Sequence, residues 1–480
     1  MALDDTDRRR IAPYVSTETG DVFALHGLPE EVIAVLFAYY SRSKDDLRSN
    51  LAKLLRDDEL AVGGEGPRAT VAMAAEKAKS FHEKWVVGYG HGSVAEHAVV
   101  HLAIENASIV ASKVIEDLRL GSYTEKSTRY VVFDNTSFVD LPELPAPLRD
   151  VYRSANEASF RVYLGLFPAT EAALKQRVPR GEKQTEKGWE NAIRAQACDV
   201  LRGLLPAGTK TNLGLTANAR ALEGLLSKMM SHPVAEVRRV ADAMRKEALV
   251  VAPTLVKYAR ENAYRRSLRE EVAPSIPPPA TEPPSATDAA VRLVLYDRDA
   301  LERTDGPRLS QLVRGALAKR GPWDPPPRAF EAASLTVELT MDYGAYRDLQ
   351  RHRMLTPHTQ LLGCELGAPV PREVVELGIE GPYRAAQEQA ERAWHELRAH
   401  DPWLAQYVVP LGYRCRTLWT LNVRELFHVV ELRSARQGHP SYRRVAQELH
   451  AVAMRVFPWL EGLVRVDNEA YALARDPAKS

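Results

Sequence analysis

Between Gly90 and His97 the chain reads GHGSVAEH, two imidazoles, a hydroxyl and a carboxylate beside two glycines that permit close approach of a ligand. A catalytic zinc motif would read HExxH or HxxEH on one helix face; the H-x4-E-H spacing fits neither, and no metal site is expected. Ser93-x-x-Glu96 also has the form of a capping box, so a helix is expected to open there, with His91 still able to meet a ligand. Further on, Ser122 to Tyr130 reads SYTEKSTRY, where the Ser127 hydroxyl and the Arg129 guanidinium, one residue apart, suit a phosphate. Downstream, Arg347 to Arg353 reads RDLQRHR; Arg351, His352 and Arg353 concentrate charge that fits either a phosphate-rich cofactor or a solvated face.

The elements that must position these groups come in two sets. Leu205-Pro206 is followed twelve residues later by Asn218-Ala219-Arg220, and Val409-Pro410 twelve residues later by Asn422-Val423-Arg424, with Pro, Thr, Asn, Arg and Leu in register. Around these repeats, Val200 to Leu205, Ala217 to Met230, Pro233 to Val251, Val423 to Ala435 and Tyr442 to Val456 carry apolar residues at helical spacing. Ala98 to Ile104 and Ala333 to Met341 alternate as strands do. Between the sets, APSIPPPATEPPSAT sustains neither helix nor sheet. The expected organisation is therefore residues 1–272 and 288–480 as two mixed domains, joined by a linker over 273–287.

Composition excludes several function classes. Hydrophobic residues are 45% and charged residues 26%, which suits a folded protein and not a disordered one. Sixty-four basic residues balance 63 acidic ones, so no bulk field attracts nucleic acid, and aromatics at 7% are too few for single-strand stacking platforms. Cys198, Cys364 and Cys415 are far apart, which fits a reducing compartment better than a disulfide framework. No apolar leader opens the chain and no run of 18 apolar residues occurs, so a soluble cytoplasmic protein is expected, with no membrane and no nucleic acid among its partners.

Taken together, the motifs resemble those of the flavin-dependent thymidylate synthases. That family carries a GHxSxxEH segment, a signature of the form RHRxxSxNxxSxRY, an R-x-x-L-P helix leading to T-x-N-x-R, and a later arginine. The first copy supplies His91, Ser93, Glu96 and His97, then DLRLGSYTEKSTRY, Arg202, Asn218 and Arg220. The second supplies Arg351, His352, Arg353, Asn422 and Arg424, with Arg433 as the later arginine. Losses are largely complementary. In the first copy Asp117 and Leu118 replace the first two positions of RHR, while in the second Leu361 and Gly363 replace the downstream serine and arginine, and Gln406 replaces the arginine before Leu-Pro. The signature asparagine is Thr124 or His358, and the glutamine ahead of RHR is Val114 or Asp348. Between Asp134 and Asn191 the first copy carries an insertion of about 30 residues, since motif offsets fall from 351−117 = 234 to 422−218 = 204.

The resemblance implies an α+β fold, two tandem copies of an antiparallel sheet flanked by helices. It implies reductive methylation of dUMP to dTMP with FAD as cofactor, and with NADPH and methylene-tetrahydrofolate as co-substrates. Arg351, His352, Arg353, His91, Ser93, Glu96, Asn422, Arg424, Asn218 and Arg220 would hold FAD. Glu125, Lys126, Ser127, Thr128, Arg129, Arg202 and Arg433 would bind dUMP, with Ser127, Arg129, Arg202 and Arg433 closest to the chemistry. Because family sites are shared between subunits, the copies would pool their groups, and two chains would form a pseudo-tetramer. The alternative is a catalytically inactive homologue that binds flavin or nucleotide in a regulatory or scaffolding role.

Overall fold

The computed structural model describes residues 3–40, 43–56, 79, 92–272, 290–297, 314–315, 317–321 and 324–470; the linker 273–287 and His91 lie outside the described residues. Apart from α3 in the first and β4 in the second, each sequence copy builds the same principal elements in the same order. The first has β1 (Val99–Ser108), α1 (Ile109–Ile115), β2 (Gly121–Glu125), α2 (Ala146–Arg177), α3 (Glu186–Leu201), β3 (Lys210–Asn218), α4 (Ala219–Met230) and α5 (Ala235–Val251). The second, preceded by β4 (Val291–Tyr296), has β5 (Ser334–Asp342), α6 (Tyr343–Leu349), β6 (Thr356–Thr359), α7 (Glu380–His400), β7 (Arg414–Asn422), α8 (Val423–Arg433) and α9 (Pro440–Val456).

Strand turns into helix on a polar cap at equivalent places. Ser108 Oγ accepts from Ala111 N at 2.9 Å and Asp342 Oδ1 from Ala345 N at 2.8 Å. Asn218 Oδ1 accepts from Ala221 N at 2.8 Å and Asn422 Oδ1 from Glu425 N at 2.9 Å. Each cap satisfies an amide that the first helical turn leaves open. The helix expected from Ala217 therefore begins at Ala219, because Leu213, Leu215 and Ala217 alternate into the core as the end of a strand. The helix expected over Val200 to Leu205 stops at Leu201 and tightens into a 3-10 turn over Arg202–Leu204. The Ser93-x-x-Glu96 segment is a 3-10 turn over Gly92–Glu96, not the entry of an α-helix.

The chain packs as two compact units. The first comprises Met1–Glu105, Leu120–Glu125 and Asn212–Arg266. Among the described residues it holds the N-terminal helices Asp5–Ile11, Glu30–Tyr40 and Leu47–Arg56 and the sheet of order β1-β3-β2, where β2 runs antiparallel to β3 with Gly121 opposite Ala217. The second comprises Asn106–Arg119, Lys126–Thr211 and Ser267–Ser480, with an antiparallel sheet of order β4-β5-β7-β6. The architecture is α+β, antiparallel sheet flanked by helices. Among the described residues no helix is long and apolar enough to cross a membrane.

Within the second unit the two Leu-Pro segments pair antiparallel. Ala207 N donates to Val409 O at 2.9 Å and Leu411 N to Leu205 O at 2.8 Å; Gly208 N donates to Tyr407 O at 2.8 Å and Gly412 N to Gly203 O at 3.0 Å. These bonds are related by a local two-fold through the Pro206–Pro410 bridge. Beside it α2 packs along α7. The insertion resolves here: α2 has 32 residues against 21 in α7, and α3 has 16 where the second copy has a four-residue turn, Pro402–Ala405.

At its glycines the pairing leaves no room for side chains. A Cβ on Gly412 would stand 2.9 Å from the Gly203 carbonyl oxygen and 3.0 Å from Gln387 Nε2. Gly412→Ala is expected to destabilise the protein by about 1–3 kcal/mol. Gly165→Ala, on the exposed side of α2 where an added Cβ meets nothing within 4 Å, should instead stabilise it by roughly 0.5–1 kcal/mol. Thermal unfolding of both variants checks this pair; equal and small shifts would mean that the segments are not closely apposed.

Candidate functional site

In the second unit, Arg129, Arg202 and Arg433 come together through carboxylates and one phenol. Arg129 lies in a turn after β2, where its N–H donates to Ser127 Oγ at 3.2 Å. Its guanidinium grips Asp199 with two bonds, Nε to Oδ1 at 2.8 Å and Nη2 to Oδ2 at 3.0 Å, and Nη1 donates to Tyr442 Oη at 3.0 Å. The Tyr442 ring also holds two cations, Arg129 at 5.5 Å and Arg433 at 5.7 Å from its centroid.

Arg202 is buried, and Nη1 donates to Asp348 Oδ2 at 3.0 Å while Nη2 has no hydrogen-bond partner among the described residues. Gly344 admits it: a Cβ there would stand 3.1 Å from Arg202 Nε. Burial alone would raise the Asp348 carboxyl, but the Arg202 and Arg129 guanidiniums prevail and hold it at about 2. At the start of α9, His439 Nδ1 accepts from Ser441 N at 3.2 Å and Nε2 faces Asp199 O at 3.3 Å. Burial, then the nearby Arg202 charge, keeps this imidazole neutral down to about 3. A cavity of about 480 Å³ opens here, lined among others by Asp199, Arg202, Asp342, His439, Ser441 and Arg444.

The RHR segment is divided by the fold. Arg351 is exposed, and its charge acts on Asp348 and Arg433. Arg353 donates Nη1 to Leu118 O at 3.3 Å. His352 points inward, with Nδ1 3.2 Å from Glu425 Oε1 and Nε2 accepting from Arg433 Nε at 2.8 Å. The expectation that all three residues face a cofactor therefore meets one outward guanidinium, one half-buried guanidinium and one saturated imidazole.

Other expected groups already have local roles. Asn218 and Asn422 cap α4 and α8, so their carbonyl oxygens serve the backbone. In the first unit Arg220 pairs with Glu96 at 2.6 Å, and in the second Arg424 pairs equivalently with Glu331 at 3.1 Å. Ser93 is exposed in its 3-10 turn and Glu125 ends β2. Lys126 lies over the Phe133 ring at 4.7 Å, and buried Thr128 accepts from Arg347 at 3.4 Å. The counterparts of Ser127, Arg129 and Arg202 in the second copy are Leu361, Gly363 and Gln406. Gly363 backs onto Trp394, whose ring would stand 2.9 Å from an added Cβ, and Gln406 bonds to Leu362 N and Trp403 O.

Sequence reasoning missed Asp199, Asp348, Glu425 and Tyr442 as site partners. Asp199 had a visible signal, one helical turn before Arg202, as did Tyr442 in HPSYRR. Nothing in spacing joined Asp348 to Arg202 or Glu425 to His352.

The chain matches the family described as thymidylate synthase complementing protein (Thy1) over residues 35–254 and again over 281–459. It belongs to this family, that of the flavin-dependent thymidylate synthases. The double match agrees with tandem copies of the family fold. Full-length similarity runs to UPF0159 proteins. One from Chlamydia muridarum is 33% identical over 98% of this chain and 96% of its own, and one from Thermoplasma acidophilum is 28% identical over 83% and 91%. A flavin-dependent thymidylate synthase from Mycobacterium sp. (strain KMS) is 32% identical over 35% of this chain and 66% of its own. Among solved structures, ThyX of Helicobacter pylori complexed with FAD and dUMP covers 49% of this chain and 97% of its own, at 16% identity and a TM-score of 0.32.

The cluster around Arg202 carries an acid-sensitive stability. Asp348, held at about 2, binds no proton where its unfolded counterpart does, so its contribution is complete above about pH 4 and is lost as pH falls toward 2. His439, neutral down to about 3, adds a loss that begins as pH falls below its ordinary 6.5. The melting temperature should therefore decline from about pH 6.5 downward. Asp348→Asn should cost about 1–3 kcal/mol at pH 7 and make the slope below about pH 4 shallower, with His439 and Glu425 supplying what remains of it. A variant as stable as wild type at pH 7 would show that the ion pair contributes nothing.

Proposed function

We propose that the protein is an FAD-dependent thymidylate synthase whose nucleotide site is composite, built by both copies of the chain. The observation that carries this reading is the junction at Tyr442. Arg129 from the first copy and Arg433 from the second share one aromatic ring, and Arg202, beside them, directs an unpartnered Nη2 into buried space. In this reading the copies span 1–272 and 288–480, and two chains form a pseudo-tetramer in the cytoplasm.

The residues divide the work as follows. Arg202 and Arg129, with the Ser127 hydroxyl, neutralise the dUMP phosphate. Arg433, held against Tyr442, polarises a uracil carbonyl so that negative charge developing on the ring is stabilised. Arg351 and Arg353 hold the FAD diphosphate. The flavin, when bound, supplies hydride chemistry, with NADPH as reductant and methylene-tetrahydrofolate as carbon donor. No cysteine attacks the ring: all three are buried, burial pushes the Cys364 thiol far up, and it pushes Cys415 up to about 12.

A second reading is favoured by one observation. Asp348 stands where the family has a neutral glutamine, and its carboxylate already occupies Arg202. That arrangement suits a non-catalytic homologue that binds flavin or nucleotide in a regulatory or scaffolding role.

Purified protein should be yellow, with flavin absorbance, and should oxidise NADPH only when dUMP is present. Arg129→Ala and Arg351→Ala should each reduce dTMP formation by roughly 100-fold or more, because each removes part of one shared site. A colourless protein that binds no added FAD would refute the cofactor and the reaction together. Flavin binding with no turnover would select the non-catalytic reading, and full activity in either variant would refute the composite site.

A further inference from the structure

The inward histidine of the RHR segment has a defined proton. An arginine Nε always carries hydrogen, so the 2.8 Å contact from Arg433 Nε requires His352 Nε2 to accept. The ring proton therefore lies on Nδ1 and donates to Glu425 Oε1 at 3.2 Å. The His352 side chain is 1% exposed, and burial keeps it neutral despite the adjacent carboxylate. Burial opposes ionisation of Glu425, but hydrogen bonds from His352 and His428 outweigh it and keep the carboxyl below its ordinary range. Glu425 and His428 lie one turn apart on α8, and Arg433 ends the same helix.

We propose that Glu425 is a positioning residue that fixes the Nδ1–H tautomer of His352, so that Nε2 holds Arg433 in place against Tyr442. The role rests on geometry: Glu425, His352, Arg433 and Tyr442 form a continuous line from a buried carboxylate to the ring that also carries Arg129. Without the carboxylate, the ring proton is free to move to Nε2, which would then face Arg433 Nε donor to donor and release the guanidinium.

The same side chains suggest a competing use. Ligand atoms of His352, Glu425 and His428 lie within 4.8 Å of one another, a set that suits a divalent transition metal. A cation on His352 Nδ1 would leave the proton on Nε2, however, and so exclude the observed Arg433 contact. The Arg433 bond therefore favours the tautomer lock.

Full-length protein labelled with 15N in histidine distinguishes these outcomes. Long-range 1H–15N spectra at neutral pH, with His352 assigned by its loss in His352→Gln, should show a bare Nε2 and a protonated Nδ1. In Glu425→Gln the ring should shift toward the Nε2–H form, whereas His428→Gln should leave it unchanged. This spectroscopic arm does not depend on the proposed reaction. The kinetic arm does: KM for dUMP should rise about 10- to 100-fold in Glu425→Gln, and the double variant Glu425→Gln/Arg433→Ala should be no worse than Arg433→Ala alone. An Nε2–H ring in the wild type, or an unchanged ring in Glu425→Gln, would overturn the proposal. Stoichiometric movement of both His352 and His428 resonances on adding zinc would also overturn it, in favour of a metal site. If the chain forms no dTMP but the tautomer behaves as expected, the lock stands and only the proposed reaction fails.

Discussion

Backbone hydrogen bonds between Gly203–Gly208 and Tyr407–Gly412 hold the two copies together within one unit, and most of the site geometry follows from them. The pairing leads directly into β3 and β7, and through Ala207 and Leu411 it receives the second amides of α1 and α6, Val110 N at 3.3 Å and Gly344 N at 2.9 Å. Arg202 and Gln406 sit at equivalent positions immediately before the paired segments. One local two-fold thus presents an arginine on one side and a glutamine on the other. Under the proposed function, symmetry of backbone with asymmetry of side chain would let the duplicated chain keep the phosphate-binding arginine in the first copy alone.

That asymmetry has an electrostatic cost which the fold meets with carboxylates. Buried guanidiniums are tolerated only when paired, and Asp199 and Asp348 supply the pairs for Arg129 and Arg202. The same carboxylates reduce the positive field that an incoming phosphate would meet. The buried Nη2 of Arg202 is then left as a donor with no hydrogen-bond partner among the described residues. Tyr442 adds a neutral surface on which two like charges approach without direct contact, since the ring attracts both.

Much of this was legible in the residues. The Leu-Pro to Asn-x-Arg repeat predicted a duplicated unit because spacing survives when side chains diverge, and the alternation from Ala98 and Ala333 marked β1 and β5. The second-copy changes at Leu361, Gly363 and Gln406 were visible in the sequence, and in the structure Gly363 packs on Trp394 while the Gln406 amide bonds to backbone. Less legible were roles in which a polar residue serves the backbone. Asn218 and Asn422 look like ligand contacts in a motif, yet a cap needs the same residue type at the same strand-to-helix junction.

By itself the sequence determined the family, the duplication and the α+β elements, because these depend on residue type and local spacing. Only the tertiary structure decided which charges are neutralised and which way they face. Asp348 reaches Arg202 and Glu425 reaches His352 across 146 and 73 residues of chain, distances over which spacing carries no information. Burial then sets the protonation of each group, and burial is a property of the packed unit rather than of any motif.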